Sequence, residues 1–272
     1  MSNTKDLLKQ LVKTSFKLRY NNSVLGLIWV ILKPFLMFLI LYFVWTNLFG
    51  NKESYFAPKL MLGIVIWTFF NEGVIFGMNG LLDKASIILK VNFNRQIAVI
   101  SSSLMSVINL TINLVLFAFI FAISNTAKSE HFLGVTNPGN YLIGMILFLS
   151  FLFALYLIIL GISFFLSIII VRIRDLQHVM ELFFAMYYWL TPVLFTYAFV
   201  VNSNNIFYAL VINNPIGWPI EFGRSLIVMN QSLSSSVVGI DKLVLLLTMG
   251  VFLIVIGNYF FKKKVSSIAE YF

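Results

Sequence analysis

An all-α integral membrane protein with six transmembrane helices is the fold expected of these 272 residues. Three observations predict it. Six apolar stretches are each long enough to cross a bilayer, only 11% of residues are charged, and the mean hydropathy is +0.94. A span needs roughly 20 apolar residues to cross about 30 Å of hydrocarbon. Water is absent there, so each segment must satisfy its own backbone N–H and C=O groups, which selects helices. The expected spans are Leu25–Phe49, Leu60–Leu81, Ile97–Ile123, Tyr141–Val171, Val179–Val201 and Gly239–Phe261.

Orientation follows from the basic residues in alternate loops. Thirteen of the nineteen Lys and Arg fall on one side, including Lys5, Lys9, Lys13, Lys17, Arg19, Lys84, Lys90, Arg95, Arg172, Arg174 and Lys262–Lys264. Five fall on the other: Lys52, Lys59, Lys128, Arg224 and Lys242; Lys33 lies inside the first span. Both termini are therefore expected in the cytoplasm. The net charge of +9 expresses this topology and an attraction to anionic headgroups. No soluble basic domain is present to carry nucleic-acid binding.

The chain divides as one membrane domain, in sequence order. Residues 1–24 form a cytoplasmic interface helix, 25–201 the first five spans, 202–238 an outer re-entrant or gate segment, 239–261 the sixth span and 262–272 a cytoplasmic tail. In the first part, Lys5, Lys9, Lys13 and Lys17 recur every four positions opposite Leu7, Leu11 and Leu18. That is an amphipathic helix lying in the headgroup layer. It is read either as a plain anchor or as a ledge admitting an anionic, lipid-linked substrate. Charges running through Arg19 before any apolar core argue against a cleavable signal peptide.

Between the second and third spans, Asp83, Lys84, Lys90 and Arg95 flank the apolar run Ala85–Leu89, either a short docking helix or an ordinary loop. The Tyr141–Val171 run would be about 46 Å long as one helix, so it must tilt, kink near Gly161 or project from the membrane. In the outer segment, Ile206–Ile212 and Ile220–Met229 are too short to span. They read as re-entrant or interfacial helices, or as a loop anchored by Trp218.

Few groups offer chemistry. There is no cysteine, which excludes disulfides and thiolate sites. His178 has no partners at metal spacing, and His131 and His178 fall on opposite expected sides, so a membrane-embedded glycolipid enzyme is a poor fit. Glu72, beside Asn71 in the second span, must be paired, protonated or in a wet cavity. Aromatic residues make up 17% of the chain. Clusters at Trp67, Phe69 and Phe70, and at Tyr187, Tyr188, Trp189 and Phe195, are candidates to line a path, since sugar C–H faces sit well on rings. Packing between helices is the alternative for each. No internal repeat of the kind found in ion-driven transporters is present.

Several ordered motifs resemble one family. Phe16–Pro34 carries Arg19-Tyr20, Ser23-x-Leu25-Gly26, Trp29 and Pro34. Arg174-Asp175, Thr191-Pro192-Val193 and Asn214-Pro215 followed by Arg224 come later in the same order. Together they resemble the permease subunits of ABC-2 type polysaccharide, O-antigen and teichoic acid exporters, across nearly the whole chain. One departure is Phe93-Asn94-Arg95, where those families usually carry Phe-Pro-Arg.

The resemblance implies a channel built from two copies of the chain, two ABC ATPase subunits beneath it, and an undecaprenyl-linked glycan as cargo, in the bacterial cytoplasmic membrane. Asp83, Lys84, Lys90, Phe93 and Arg95 would couple to the ATPase, and Lys13, Lys17, Arg19, Tyr20 and Trp29 would meet the headgroup. Asn214, Pro215, Trp218 and Arg224 would belong to the outer gate. No phosphate-cradling Gly-rich loop occurs here, so the chain needs no cofactor of its own and Mg-ATP belongs to the partner. Export of a drug or small lipophile by the same class is the alternative.

Overall fold

The computed structural model describes residues 4–20, 25–50, 55–91, 93–126, 138–200, 205–228 and 238–265. Ser23, Lys52, Lys128, His131 and residues 202–204 and 229–237 of the outer segment lie outside them, as do residues 266–272 of the tail. The described secondary structure is helical throughout.

Helix α1 (Thr4–Tyr20) is amphipathic as expected, with Lys5, Lys9, Lys13 and Lys17 exposed and Leu11 buried. Gly26 then turns the chain with φ +46°, a conformation that glycine adopts without a side-chain clash. This gives the Leu25-Gly26 motif its physical reason. Helix α2 (Ile28–Phe43) carries Pro34 within it and ends in a single π turn, Val44–Leu48. Helices α3 (Phe56–Asn79), α5 (Gln96–Thr126), α6 (Pro138–Arg172) and α11 (Ile240–Lys264) are the other long ones. With α2 they make five helices apolar and long enough to cross a membrane.

The sixth expected span is different. Helix α7 (Leu176–Leu190) stops in the middle of the Val179–Val201 run, because Thr191 is extended ahead of Pro192. A residue preceding proline is disfavoured in the α conformation, and proline has no N–H to continue the ladder. Fifteen residues reach only about 22 Å, short of a full crossing. The chain continues through an irregular stretch into the brief α8 (Tyr197–Val200). The two short apolar runs beyond it are helices α9 (Asn205–Ile212) and α10 (Gly217–Gly223), the latter extended by a π turn at Arg224–Val228.

Packing ranks the spans. In α3, 72% of the span window is buried within the chain, against 17% in α2, so α3 is the central post. It packs on α5 and α6, while α11 lies along α6 and α1 lies across α5. The helix α6 runs unbroken through Gly161, which serves packing and does not interrupt the helix. A Cβ on Gly257 would lie 2.4 Å from the Gly161 carbonyl oxygen, so α6 and α11 touch backbone to backbone there. Small residues at such crossings permit dispersion contacts that replace the missing hydrophobic drive in lipid.

The outer faces of α2, α7 and α11 expose Ile40, Phe43, Leu182, Met186, Val255 and Tyr259. Exposure of that many large apolar groups fits a hydrocarbon surrounding. The short segment between α3 and α5 contains a four-residue helix, α4 (Ala85–Ile88), with Ile88 buried and Leu89 exposed.

Candidate functional site: two polar clusters along the central helix

The first cluster forms where α7 breaks. A helix interruption leaves carbonyl oxygens without partners, and among apolar neighbours each needs a donor. Arg224, only 2% exposed, supplies them. Its Nη1 donates to the Pro192 carbonyl at 2.7 Å and the Phe195 carbonyl at 2.9 Å, and Nη2 donates to Val193 at 2.6 Å. Nε donates to the Lys59 carbonyl of α3 at 3.0 Å. Glu221, one turn earlier on α10, completes the ion pair at 2.8 Å. The planar five-donor fork of arginine suits such a divergent set of acceptors. Gly63 makes room, since a Cβ there would fall 2.9 Å from Arg224 Nη2.

Asn214 does the same for the end of α7. Its Nδ2 donates to the Leu190 carbonyl and to Thr191 Oγ1, both at 3.2 Å. Its Oδ1 accepts from the Tyr187 hydroxyl and from the Ile216 N–H, both at 3.0 Å. The Thr191-Pro192-Val193 and Asn214…Arg224 motifs, separate in sequence, are therefore one interlocked structure. Trp218 is 2% exposed and donates Nε1–H to the Ile212 carbonyl, so it is a packed strut and not a surface anchor. Pro215 is half-buried, lining with Tyr187 and Asn214 an open, largely apolar groove beside α9.

The second cluster lies further along α3, where Glu72 stands about 20 Å from Lys59 by the rise of the helix. The Tyr20 hydroxyl donates to Asn109 Oδ1 at 2.9 Å, and Asn109 Nδ2 donates to Glu72 Oε2 at 2.6 Å. Glu72 is thus hydrogen-bonded, which resolves how it is accommodated. Its neighbours Lys33 and Arg19 add positive charge nearby. The Arg19 guanidinium lies 3.6 Å over the Phe76 ring, a cation–π contact that leaves the guanidinium edge open.

Lys84 was expected to face a partner. Instead it is 3% exposed, donating to the Ala98 carbonyl at 3.1 Å and Ser102 Oγ at 2.6 Å. Burial pulls its ammonium down to about 8. Asp83 and Lys90 remain at the surface, Phe93 is half-buried against Leu81 and Phe261 and their neighbours, and Arg95 bonds the Val265 carbonyl at the end of α11. Lys13, Lys17, Arg19 and Trp29 are exposed and Tyr20 is half-buried.

The aromatic candidates divide. Trp67, Phe69, Phe70 and Tyr188 are buried in the chain's own core and are unavailable to an open path as placed. Trp67 is packed edge-on against Tyr188 at 5.4 Å, filling the space between α3 and α7. Trp189 is exposed, Tyr187 is half-buried, and half-buried Phe195 packs 6.1 Å from Phe207.

Reading the sequence missed Glu221, Asn109 and Ser102. A signal was available: Ser102, Ser106, Asn109 and Asn113 recur at intervals of four, three and four in an apolar span, marking one polar helix face. Glu221 and Arg224 likewise stand at i, i+3 on one short helix.

These features define a multi-pass helical membrane protein, with a broken helix whose ends are held by polar locks. The comparisons agree and are specific. The chain is 28% identical over 189 residues to the O-antigen export system permease protein RfbA of Myxococcus xanthus, covering 70% of this chain and 68% of that protein. It is 24% and 23% identical over 266 residues to two Klebsiella pneumoniae proteins of the same name, covering 97% of this chain and 94% of each. No family model matches. The resemblance carried by the ordered motifs, to ABC-2 type O-antigen and polysaccharide export permeases, thus extends along the full chain.

Proposed function

We propose that two copies of this chain form the channel of an ATP-driven exporter that carries a lipid-linked cell-envelope polysaccharide outward across the bacterial cytoplasmic membrane. The full-length similarity to O-antigen export permeases carries this reading most directly. Both termini face the cytoplasm, consistent with thirteen basic residues on that side against five on the other. The glycan is an O-antigen, a rhamnose-type wall polysaccharide or a teichoic acid on an undecaprenyl-type carrier.

ATP hydrolysis belongs to two partner ATPase subunits, since no phosphate-cradling loop occurs in this sequence. Those subunits dock beside α4, where Asp83, Lys90 and Leu89 are exposed. The Arg224–Asn214 lock sits at the opposite, outer end and holds the broken α7 and the short α9–α10 pair as an exit gate. The exposed rings of α7, Trp189 above all, offer the weak, repeated contacts that a moving sugar chain needs.

The test is depletion of the chain in its host, with mass spectrometry of the carrier-linked glycan. Accumulation of glycolipid inside, restored to normal by the wild-type chain and not by Arg95→Glu, supports the reading. An unchanged glycolipid pool on depletion refutes it. The chain lacks cysteine, so single cysteines at Ser2 and Ser266 report topology directly, and labelling of either from outside intact cells overturns the assigned orientation.

A further inference from the structure

We propose that the groove between the broken end of α7 and helix α9 is a binding site for one acyl tail of a membrane phospholipid, which braces α9 against α7. The groove measures about 660 Å³, within the range of sites that hold a small molecule. Its apolar walls are Leu190 of α7, Ile206, Ala209 and Leu210 of α9, and Pro215.

The chemistry of these walls selects for hydrocarbon. No charged side chain lines the groove among the described residues. The polar groups that reach it are already engaged. The Tyr187 hydroxyl donates to Asn214 Oδ1, Asn214 Nδ2 donates to the Leu190 carbonyl, and Asn213 Nδ2 donates to the Ala209 carbonyl at 2.9 Å. A sugar or phosphate would have to displace these bonds to form its own, and each displaced group among apolar neighbours is costly. An acyl tail asks for none of them.

Position and continuity point the same way. Helix α7 begins at Leu176, directly after the basic turn at 172–175, and its fifteen residues rise about 22 Å. A crossing needs about 30 Å, so about 8 Å of hydrocarbon depth lies beyond the break, beside α9 and not beside a continuing helix. Leu182, Met186 and Leu190 recur every four residues on one exposed face of α7, and Ile206 and Leu210 are 72% and 56% exposed. The groove therefore continues the surface of α7 that faces hydrocarbon. Acyl tails already surround that surface, and one that enters the groove gains dispersion contacts and removes a void beside a helix too short for the bilayer. A second copy is a poorer occupant. Three turns of helix, about 10 Å across and about 16 Å long, fill roughly twice the volume of the groove. In the orientation proposed above the tail belongs to an outer-leaflet lipid, while the site itself does not depend on the transport reading.

The experiment is native mass spectrometry of the full chain released from dioleoyl phosphatidylcholine nanodiscs. Under activation that strips loosely bound lipid, the wild type is expected to retain a single phosphatidylcholine per chain. Ala209→Trp fills the groove and Leu210→Asn makes its rim polar, and each is expected to cut that retention about tenfold. Val255→Trp, on the outward face of α11, is expected to leave it unchanged. Leu210 is exposed, so its variant tests the site even where Ala209→Trp fails to fold. Delipidation is expected to lower the melting temperature of the wild type and to leave that of Leu210→Asn where it was. A wild type that retains no lipid, or folded variants that retain as much as the wild type, overturns the proposal. Separation of copies by Ala209→Trp with retention unchanged assigns the groove to a second copy and overturns it equally. So does a tenfold preference for undecaprenyl phosphate when it is mixed in equal amount with phosphatidylcholine, since the groove then belongs to a prenyl lipid.

Discussion

Arg224 and Pro192 lie thirty-two positions apart and meet through a 2.7 Å hydrogen bond from the guanidinium Nη1 to the proline carbonyl. The proline ends a helix, and the arginine compensates for the ending. Neither motif explains itself in isolation: an arginine buried among apolar side chains is costly, and so are carbonyls stranded by a helix break. Together with Glu221 they form a satisfied network in which each costly group supplies what another lacks.

Removing the donor should therefore be expensive. Arg224→Met leaves Glu221 and four carbonyls without their partner and is expected to destabilise the folded protein by about 3–5 kcal/mol. Arg224→Lys keeps the charge but cannot reach all the acceptors, so its loss should be smaller. Thermal unfolding in detergent, followed by helical circular dichroism, gives both values. Equal melting of the wild type and Arg224→Met would contradict the network's structural role.

Gly63→Ala probes the same lock from the other side. The added Cβ would meet Arg224 Nη2 at 2.9 Å and the Val193 carbonyl oxygen at 3.0 Å, so one of them must move. A cost of about 1–3 kcal/mol is expected. In the Arg224→Met background the clash loses its main object, and the double-mutant cycle should show strong coupling. Additive effects would indicate that Gly63 acts elsewhere.

At the α6–α11 crossing, Gly257→Leu should separate the two helices, because the position for a Cβ is already occupied by the Gly161 backbone. Loss of folded protein on size-exclusion chromatography is the expected outcome. Leu at Val255, which faces outward, serves as the control and should leave the elution profile unchanged.

Lys84 makes stability depend on pH. Its ammonium titrates near 8 in the folded protein because burial disfavours the charge, against an ordinary value of 10.5. Between those two values the unfolded chain holds a proton that the folded chain has released, so unfolding becomes less favourable as pH rises. Stability from this group therefore increases from about pH 8 towards 10.5 and is at its lowest below 8. Lys84→Met should remove that rise, measured as the difference in melting temperature between pH 7.5 and pH 10.

The Tyr20–Asn109–Glu72 chain gives a graded series. Glu72→Gln keeps an acceptor for Asn109 Nδ2 and should change stability by less than about 1 kcal/mol. Asn109→Leu removes the bonds to both Glu72 and Tyr20 and should cost about 1–3 kcal/mol. If Glu72→Gln abolishes export in folded protein, the carboxylate acts through its charge and not only through this bond.

The class of fold, the long helices and the amphipathic first helix were open to reading because each depends on local chemistry. Backbone satisfaction within a span and the four-residue period of lysines in α1 are fixed by neighbours a few positions away. The same locality misled at Val179–Val201, where hydropathy runs on smoothly past Pro192 although the helix does not. Site residues fared unevenly for a related reason. Arg224 and Asn214 were identified through motifs, yet the sequence could not show that they serve the end of α7. Lys84 looked like a surface charge until Ala98 and Ser102 closed over it.

What the amino-acid order by itself determined is where apolar helices form and which side of them is basic, since water's absence and charge asymmetry act along the chain. What only the tertiary structure decided is which polar groups meet. Tyr20 finds Asn109 across eighty-nine positions, and Arg224 finds Lys59 across one hundred and sixty-five. Such pairings depend on how helices rotate and cross, and no local pattern encodes that. In hydrocarbon an unpaired polar group is costly, so packing that brings such groups together is favoured.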